Sequence, residues 1–115
     1  MMATDWSDNI VIADLSDEPS LSEELTNLNT RLAEAAPEEA PHVVLNLSGV
    51  TYLNSSNIAQ LLRLRKRLGE CERKLRVCSV ADPVWSIMLV TGLDKVFHFQ
   101  PDTASALAAL QLEDT

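Results

Sequence analysis

Cysteine, histidine and basic residues are all scarce in this sequence, and each shortage excludes a class of function. Of 115 residues two are cysteines, Cys71 and Cys78, too few for a disulfide framework. The two histidines, His42 and His98, stand apart from each other and from any nucleophile, so neither a zinc site nor a catalytic pair is expected. No apolar run approaches the ~20 residues that span a bilayer, and the opening MMATDWSDNI has neither the basic start nor the apolar stretch of a secretory signal. A phosphate loop with its lysine and a dinucleotide fingerprint are both missing. Nine Lys and Arg against seventeen Asp and Glu leave a formal net charge of −8. That balance argues against nucleic acid or an anionic membrane as partner, because their phosphates reward positive charge. The expectation is a cytoplasmic single domain over residues 1–115, with no cofactor, no metal and no direct membrane insertion, and not an enzyme.

Forty-six per cent of the residues are hydrophobic, enough for one core at this length. Residues 1–9 are polar and expected to fray. Ile10, Val11, Ile12 and Ala13 form a short β-favouring run, ended by the acidic stretch 14–19. Ser20 and Glu23 have the spacing of a capping box, opening a helix whose apolar stripe is Leu21, Leu25, Leu28 and Leu32 and which Pro37 stops at about Ala36. Residues 43–47, Val-Val-Leu-Asn-Leu, read as a largely buried strand. After the connection 48–53 comes a polar knot, Asn54-Ser55-Ser56-Asn57, any member of which can cap the helix carrying Ile58, Leu61, Leu62, Arg65 and Leu68, with Gly69 suited to its end. Leu75 to Val80 is a further strand. Asp82 and Pro83 supply an N-cap and an N1 proline for a helix carrying Val84, Ile87, Met88 and Val90, which Gly92 stops. A strand at Val96-Phe97-His98-Phe99 and an Ala-rich helix from Asp102, carrying Leu107 and Leu110, complete the chain. Strands alternating with helices give an α/β layer fold.

Three groups of residues invite a chemical reading. Ser55 and Ser56 lack the Gly-x-Ser-x-Gly elbow of a nucleophile. One of them serves as N-cap, worth ~1 kcal/mol, or a hydroxyl at a helix start serves as a phosphorylation switch, where the free N–H groups tolerate the new charge and a docked partner does not. Cys71 lies at a helix end beside charges, and Cys78 lies on a strand. Both read as ordinary thiols, and the histidines as structural or surface residues. Seven of the nine basic residues, Arg63, Arg65, Lys66, Arg67, Arg73, Lys74 and Arg76, fall between positions 63 and 76. They form either a solvated helix face placed favourably near a helix C-terminus, or a basic patch suited to an acidic protein partner.

The run from Val43 through Asn46, Gly49, Tyr52, Asn54-Ser55-Ser56-Asn57 and Ile58 to Leu62 resembles the STAS domain of bacterial anti-sigma factor antagonists. That family's pattern is a hydrophobic strand, a short connection and Asp-Ser-Ser/Thr-Gly leading into a helix. Leu75-Arg76-Val77, the helix with Met88, and Thr91-Gly92-Leu93-Asp94-Lys95-Val96-Phe97 are similar as well, so the likeness covers about residues 8–112. It implies a STAS fold, a small mixed sheet of about four strands packed with about four helices. The implied function is that of a binding module. The unphosphorylated antagonist captures an anti-sigma factor that is also an ATP-binding serine kinase and so frees a sigma factor, phosphorylation of a motif serine releases the complex, and a phosphatase resets it. By position the modified serine is Ser56, with Ser55 as second choice. The implied contact surface is Asn54, Ser55, Ser56, Asn57 and Ile58, with Arg63 and Arg67 as rim charges. Asn54 stands where the family has Asp and loses a charge; Asn57 stands where it has Gly and adds a side chain. Two alternatives stand beside this reading: a phosphorylation-independent STAS subunit of a lipid-handling ABC transporter, which these departures favour, or a scaffold module in a stress-signalling complex.

Overall fold

Segments rich in Val and Ile are extended, and segments with leucines three and four apart are helical. The computed structural model describes residues 3–6 and 9–113. In chain order the elements are β1 (Ala3–Trp6), β2 (Ile10–Ser16), α1 (Ser20–Glu34), β3 (His42–Gly49), α2 (Ser55–Glu70), β4 (Leu75–Cys78), α3 (Asp82–Thr91), β5 (His98–Gln100) and α4 (Thr103–Glu113), with single 3-10 turns at Pro37–Glu39 and Leu93–Lys95. One five-stranded sheet runs β1-β2-β3-β4-β5. β1 is antiparallel to β2, and the other three pairs are parallel, Val11 opposite Val43, Val43 opposite Leu75 and Val77 opposite Phe99. The sheet is therefore mixed, with one strand more than the four expected.

The strand order decides where the helices lie. A helical crossover between parallel strands is right-handed in nearly every protein. Here three crossovers each move one strand in the same direction, so α1, α2 and α3 fall on one face. Alternate strand residues point to them: Val11, Ala13 and Leu15 from β2, Val43, Leu45 and Leu47 from β3, and Leu75 and Val77 from β4 join the leucine stripes of α1 and α2 and Val84 and Met88 of α3 in one buried core. Each such leucine, wholly buried, stabilises the fold by roughly 1.5–3 kcal/mol. The opposite face is left to α4, whose Ala106 and Leu110 pack on Val44 and Cys78, flanked by Ile10, Ile12 and Leu107.

Several expectations need correction. Residues 3–6, expected to fray, pair as β1 with β2, which itself runs past the apolar quartet to Ser16. The capping box at Ser20 does not form. Ser20 is already helical, and the α1 amino end is held instead by Glu18, whose carboxylate accepts from Ser22 N at 2.6 Å and from the Ser22 hydroxyl. Asp82 is likewise the first helical residue of α3, with Ala81 as N-cap. α2 continues through Gly69, and its left-handed terminal residue is Glu72, φ 57. Arg73 N to Leu68 O at 2.8 Å and Glu72 N to Gly69 O at 3.1 Å close it as a Schellman motif. Gly92, φ 76, ends α3 where expected. Cys71 and Cys78 are both buried. His42 is structural: buried, its Nδ1 accepts from Lys74 N at 2.9 Å. His98 is on the surface.

Candidate functional site at the start of the second helix

β3 delivers the chain to the edge of the helical layer, where a short loop turns it into α2. The loop is tied down by Asp17, which accepts from Thr51 N at 2.8 Å and from the Thr51 hydroxyl at 2.7 Å. These bonds, the backbone one first, hold the Asp17 carboxyl below the usual carboxylate range. Tyr52 then projects into solvent, 63% exposed, while Leu53 turns into the core. Asn54 follows in extended conformation, φ −92 and ψ 174, as the N-cap of α2.

Two asparagines do all of the capping. Asn54 Oδ1 accepts from Asn57 N at 2.8 Å, and Asn57 Oδ1 accepts from Asn54 N at 3.0 Å, a reciprocal box. Asn57 is fully buried, and its Nδ2 reaches Glu18 Oε2 and Ser22 Oγ, each at 3.4 Å. Glu18 thus binds both helix starts. The Ser22 hydroxyl, its largest influence, and the Ser22 N–H hold the Glu18 carboxyl below its ordinary value. Further along, α1 and α2 run side by side through Gln60 Nε2 to Thr26 Oγ1 at 2.9 Å, and Arg67 Nε to Leu32 O at 3.0 Å.

Ser55 and Ser56 are the first two helical residues and both are exposed. Among the described residues neither hydroxyl takes part in a hydrogen bond. The expectation that one of them caps the helix is overturned, because the asparagines on either side supply every capping contact. One turn and two turns further on, Ala59, Leu62 and Arg63 continue the same exposed face, Leu62 at 40%. The other residues expected at the surface are placed differently. Asn57 is inside, engaged with Asn54, Glu18 and Ser22, so it shapes the site rather than meeting a partner. Asn54 and Ile58 are half-buried, Ile58 against the core. Arg67 is half-buried with its guanidinium on Leu32 O, Ala35 O and the Glu70 carboxylate, where it fastens α1 to α2 instead of forming a rim. Glu18 belongs to an acidic run with nothing local to mark it, and only the folded contact with Ser22 and Asn57 gives it a role.

The STAS domain family model matches residues 7–106. The chain belongs to the STAS domain family. A curated relative, the anti-sigma F factor antagonist of Paenibacillus polymyxa, is 26% identical over 74 residues, 64% of this chain and 63% of that protein; the matched stretch spans less than two thirds of the relative. A STAS-domain anti-sigma-factor antagonist from Planctomyces limnophilus superposes with a TM-score of 0.79 at 21% identity, covering 96% of this chain and 97% of that one. The Bacillus cell fate determinant SpoIIAA, solved in its phosphorylated form, gives 0.70 at 11% identity over 95% of this chain and 98% of that one. The STAS fold carries four helices here, as expected, and among the described residues no helix is long and apolar enough to cross a membrane.

Proposed function

We propose that this STAS domain is an anti-sigma factor antagonist. It captures an anti-sigma factor of ATP-binding serine-kinase type through the exposed start of α2, and phosphorylation of Ser56, or secondarily Ser55, releases it. A phosphatase restores the free serine. The observation that carries the reading is the division of labour at 54–57: the asparagines cap the helix, and the serines stand in solvent without structural duty.

The N–H groups of the first helical turn and the helix dipole stabilise a phosphate on Ser56, so the fold survives modification. A bound partner must instead desolvate about −1.5 to −2 charges. A penalty of ~3 kcal/mol lowers affinity roughly a hundredfold. Tyr52, Ser55, Ser56, Leu62 and Arg63 form the contact surface, mixing an aromatic anchor, an aliphatic one and a cation. Asn54, Asn57 and Ile58 hold it in shape from below, and Arg67 fixes the helix that presents it.

The test is a tagged pull-down from the native host, wild type beside Ser56→Asp and Ser56→Ala, with circular dichroism on each protein. The expected result is an ATP-binding kinase-like protein retained by wild type and Ser56→Ala and lost by Ser56→Asp, with unchanged spectra. Undiminished capture by Ser56→Asp, or equal retention of a transporter ATPase by all three, would sink the switch.

A further inference from the structure

The basic residues clustered between positions 63 and 76 are sorted by the fold. Arg67 is taken up between α1 and α2, and Arg63 lies with the serines. The other five, Arg65, Lys66, Arg73, Lys74 and Arg76, line one half-open groove of about 640 Å³ where the end of α2 meets the starts of β4 and β5. Leu68, Leu75 and Phe97 give it an apolar lining, and Glu70 is its single carboxylate. Arg76 is buried, 4% exposed, with its guanidinium on Leu75 O at 3.1 Å, which leaves four accessible cations and one carboxylate, a formal +3 on a chain whose total is −8. Solvated cations along one helix face do not converge in this way: Arg65 and Lys66 come from α2, and Arg73 and Lys74 from the segment entering β4.

Two of the guanidinium groups are held in place. Arg65 Nε donates to Val96 O at 3.1 Å. Arg73 Nε donates to Ala40 O at 2.5 Å and its NH2 to Glu38 O at 2.9 Å. Cations fixed this way lose little rotamer freedom when they bind a carboxylate. Beyond a Debye length of about 8 Å at physiological salt the overall negative charge is screened, so an anion at contact responds to the groove. Ser55 and Arg65 are ten residues apart on one helix, about 15 Å at its rise per residue.

We propose that this groove docks an acidic peptide segment of a partner protein, its carboxylates on the cations and one apolar side chain against Leu75 and Phe97. The inference is separate from the serine switch, and either stands if the other falls. The half-open shape and the apolar lining suit an extended peptide better than a compact anion, and the acidic remainder of the surface repels nucleic acid.

The probe is a short fluorescein-labelled peptide of Asp and Glu around one central Phe, followed by fluorescence anisotropy with the full chain. Saturable binding is expected, weakened roughly tenfold in Lys66→Glu. It should be little changed in Arg31→Glu, an exposed charge reversal on α1, and thermal unfolding of Lys66→Glu should match wild type. Lys74→Glu serves as a second groove variant with the same expected loss. No saturable binding, equal loss in Arg31→Glu, or displacement of the peptide by inorganic tripolyphosphate at concentrations below the peptide's own dissociation constant would overturn the proposal, the last by making the groove a small-anion site.

Discussion

At the residue scale the departures from the family motif explain each other. An Asp at 54 would cap α2 with a charge, and a Gly at 57 would leave nothing to answer it. Asn at both positions forms a neutral, reciprocal pair, and the charge returns from another element as Glu18, in contact with Asn57. Asn57→Ala removes one cap bond and leaves Asn54 N and the Glu18 carboxylate short of a partner inside the protein. The expected loss is about 2 kcal/mol, seen as a lower urea midpoint. Ser55→Ala and Ser56→Ala should each stay within about 0.5 kcal/mol of wild type. A serine variant as costly as Asn57→Ala would return the hydroxyls to the fold and remove the argument for their availability.

Among the elements, α2 is stiffened at its start and strained at its finish. Glu72 adopts a left-handed conformation that costs an L-residue about 1–2 kcal/mol, so Glu72→Gly should raise stability by about 1 kcal/mol in urea titration. Gly49 is the opposite case. A Cβ there would lie 2.8 Å from Leu15 O, backbone that cannot step aside, at the irregularity where Ser16 pairs with Gly49. Gly49→Ala should lower stability by about 1–3 kcal/mol, and an unchanged midpoint would mean that β2 and β3 separate at this point at little cost. These two ends also show what the sequence makes legible. Leucine spacing locates α1 and α2, because burial of one face leaves a period in the chain, and short runs of β-favouring residues locate β3 and β4, which are buried on both faces. Caps leave no period. Asn54, Ser55, Ser56 and Asn57 are equivalent as candidates by composition, and only backbone geometry selects Asn54. β1 was hidden for another reason: its pairing with β2 satisfies backbone groups, which its polar composition does not reveal.

For the whole molecule, three carboxylates at element junctions tie stability to acid. Thr51 N–H and hydroxyl lower Asp17, the Ser22 hydroxyl and N–H lower Glu18, and the Ser105 N–H lowers Asp102, each below its unfolded value. A group with a depressed folded pKa stabilises the native state fully above its unfolded pKa, near 4 for these residues, and the contribution disappears as pH falls through the folded value. The triple variant Asp17→Asn, Glu18→Gln, Asp102→Asn should therefore show a flatter decline of the urea midpoint between about pH 5 and pH 2 than wild type. An identical decline would assign the acid sensitivity to the chain's other acidic groups.

The separation of capping from the exposed hydroxyls has a consequence for tolerance to change. In a library randomised at positions 54 to 57 and sorted first for abundance in cells, Asn54 and Asn57 should be retained while 55 and 56 drift almost freely. If the same library is then sorted for partner capture, the pattern should invert, with the constraint moving to the hydroxyl positions. Two neighbouring pairs in one helical turn would thus answer to different selections, one to the fold's own demands and the other to whatever reads its surface.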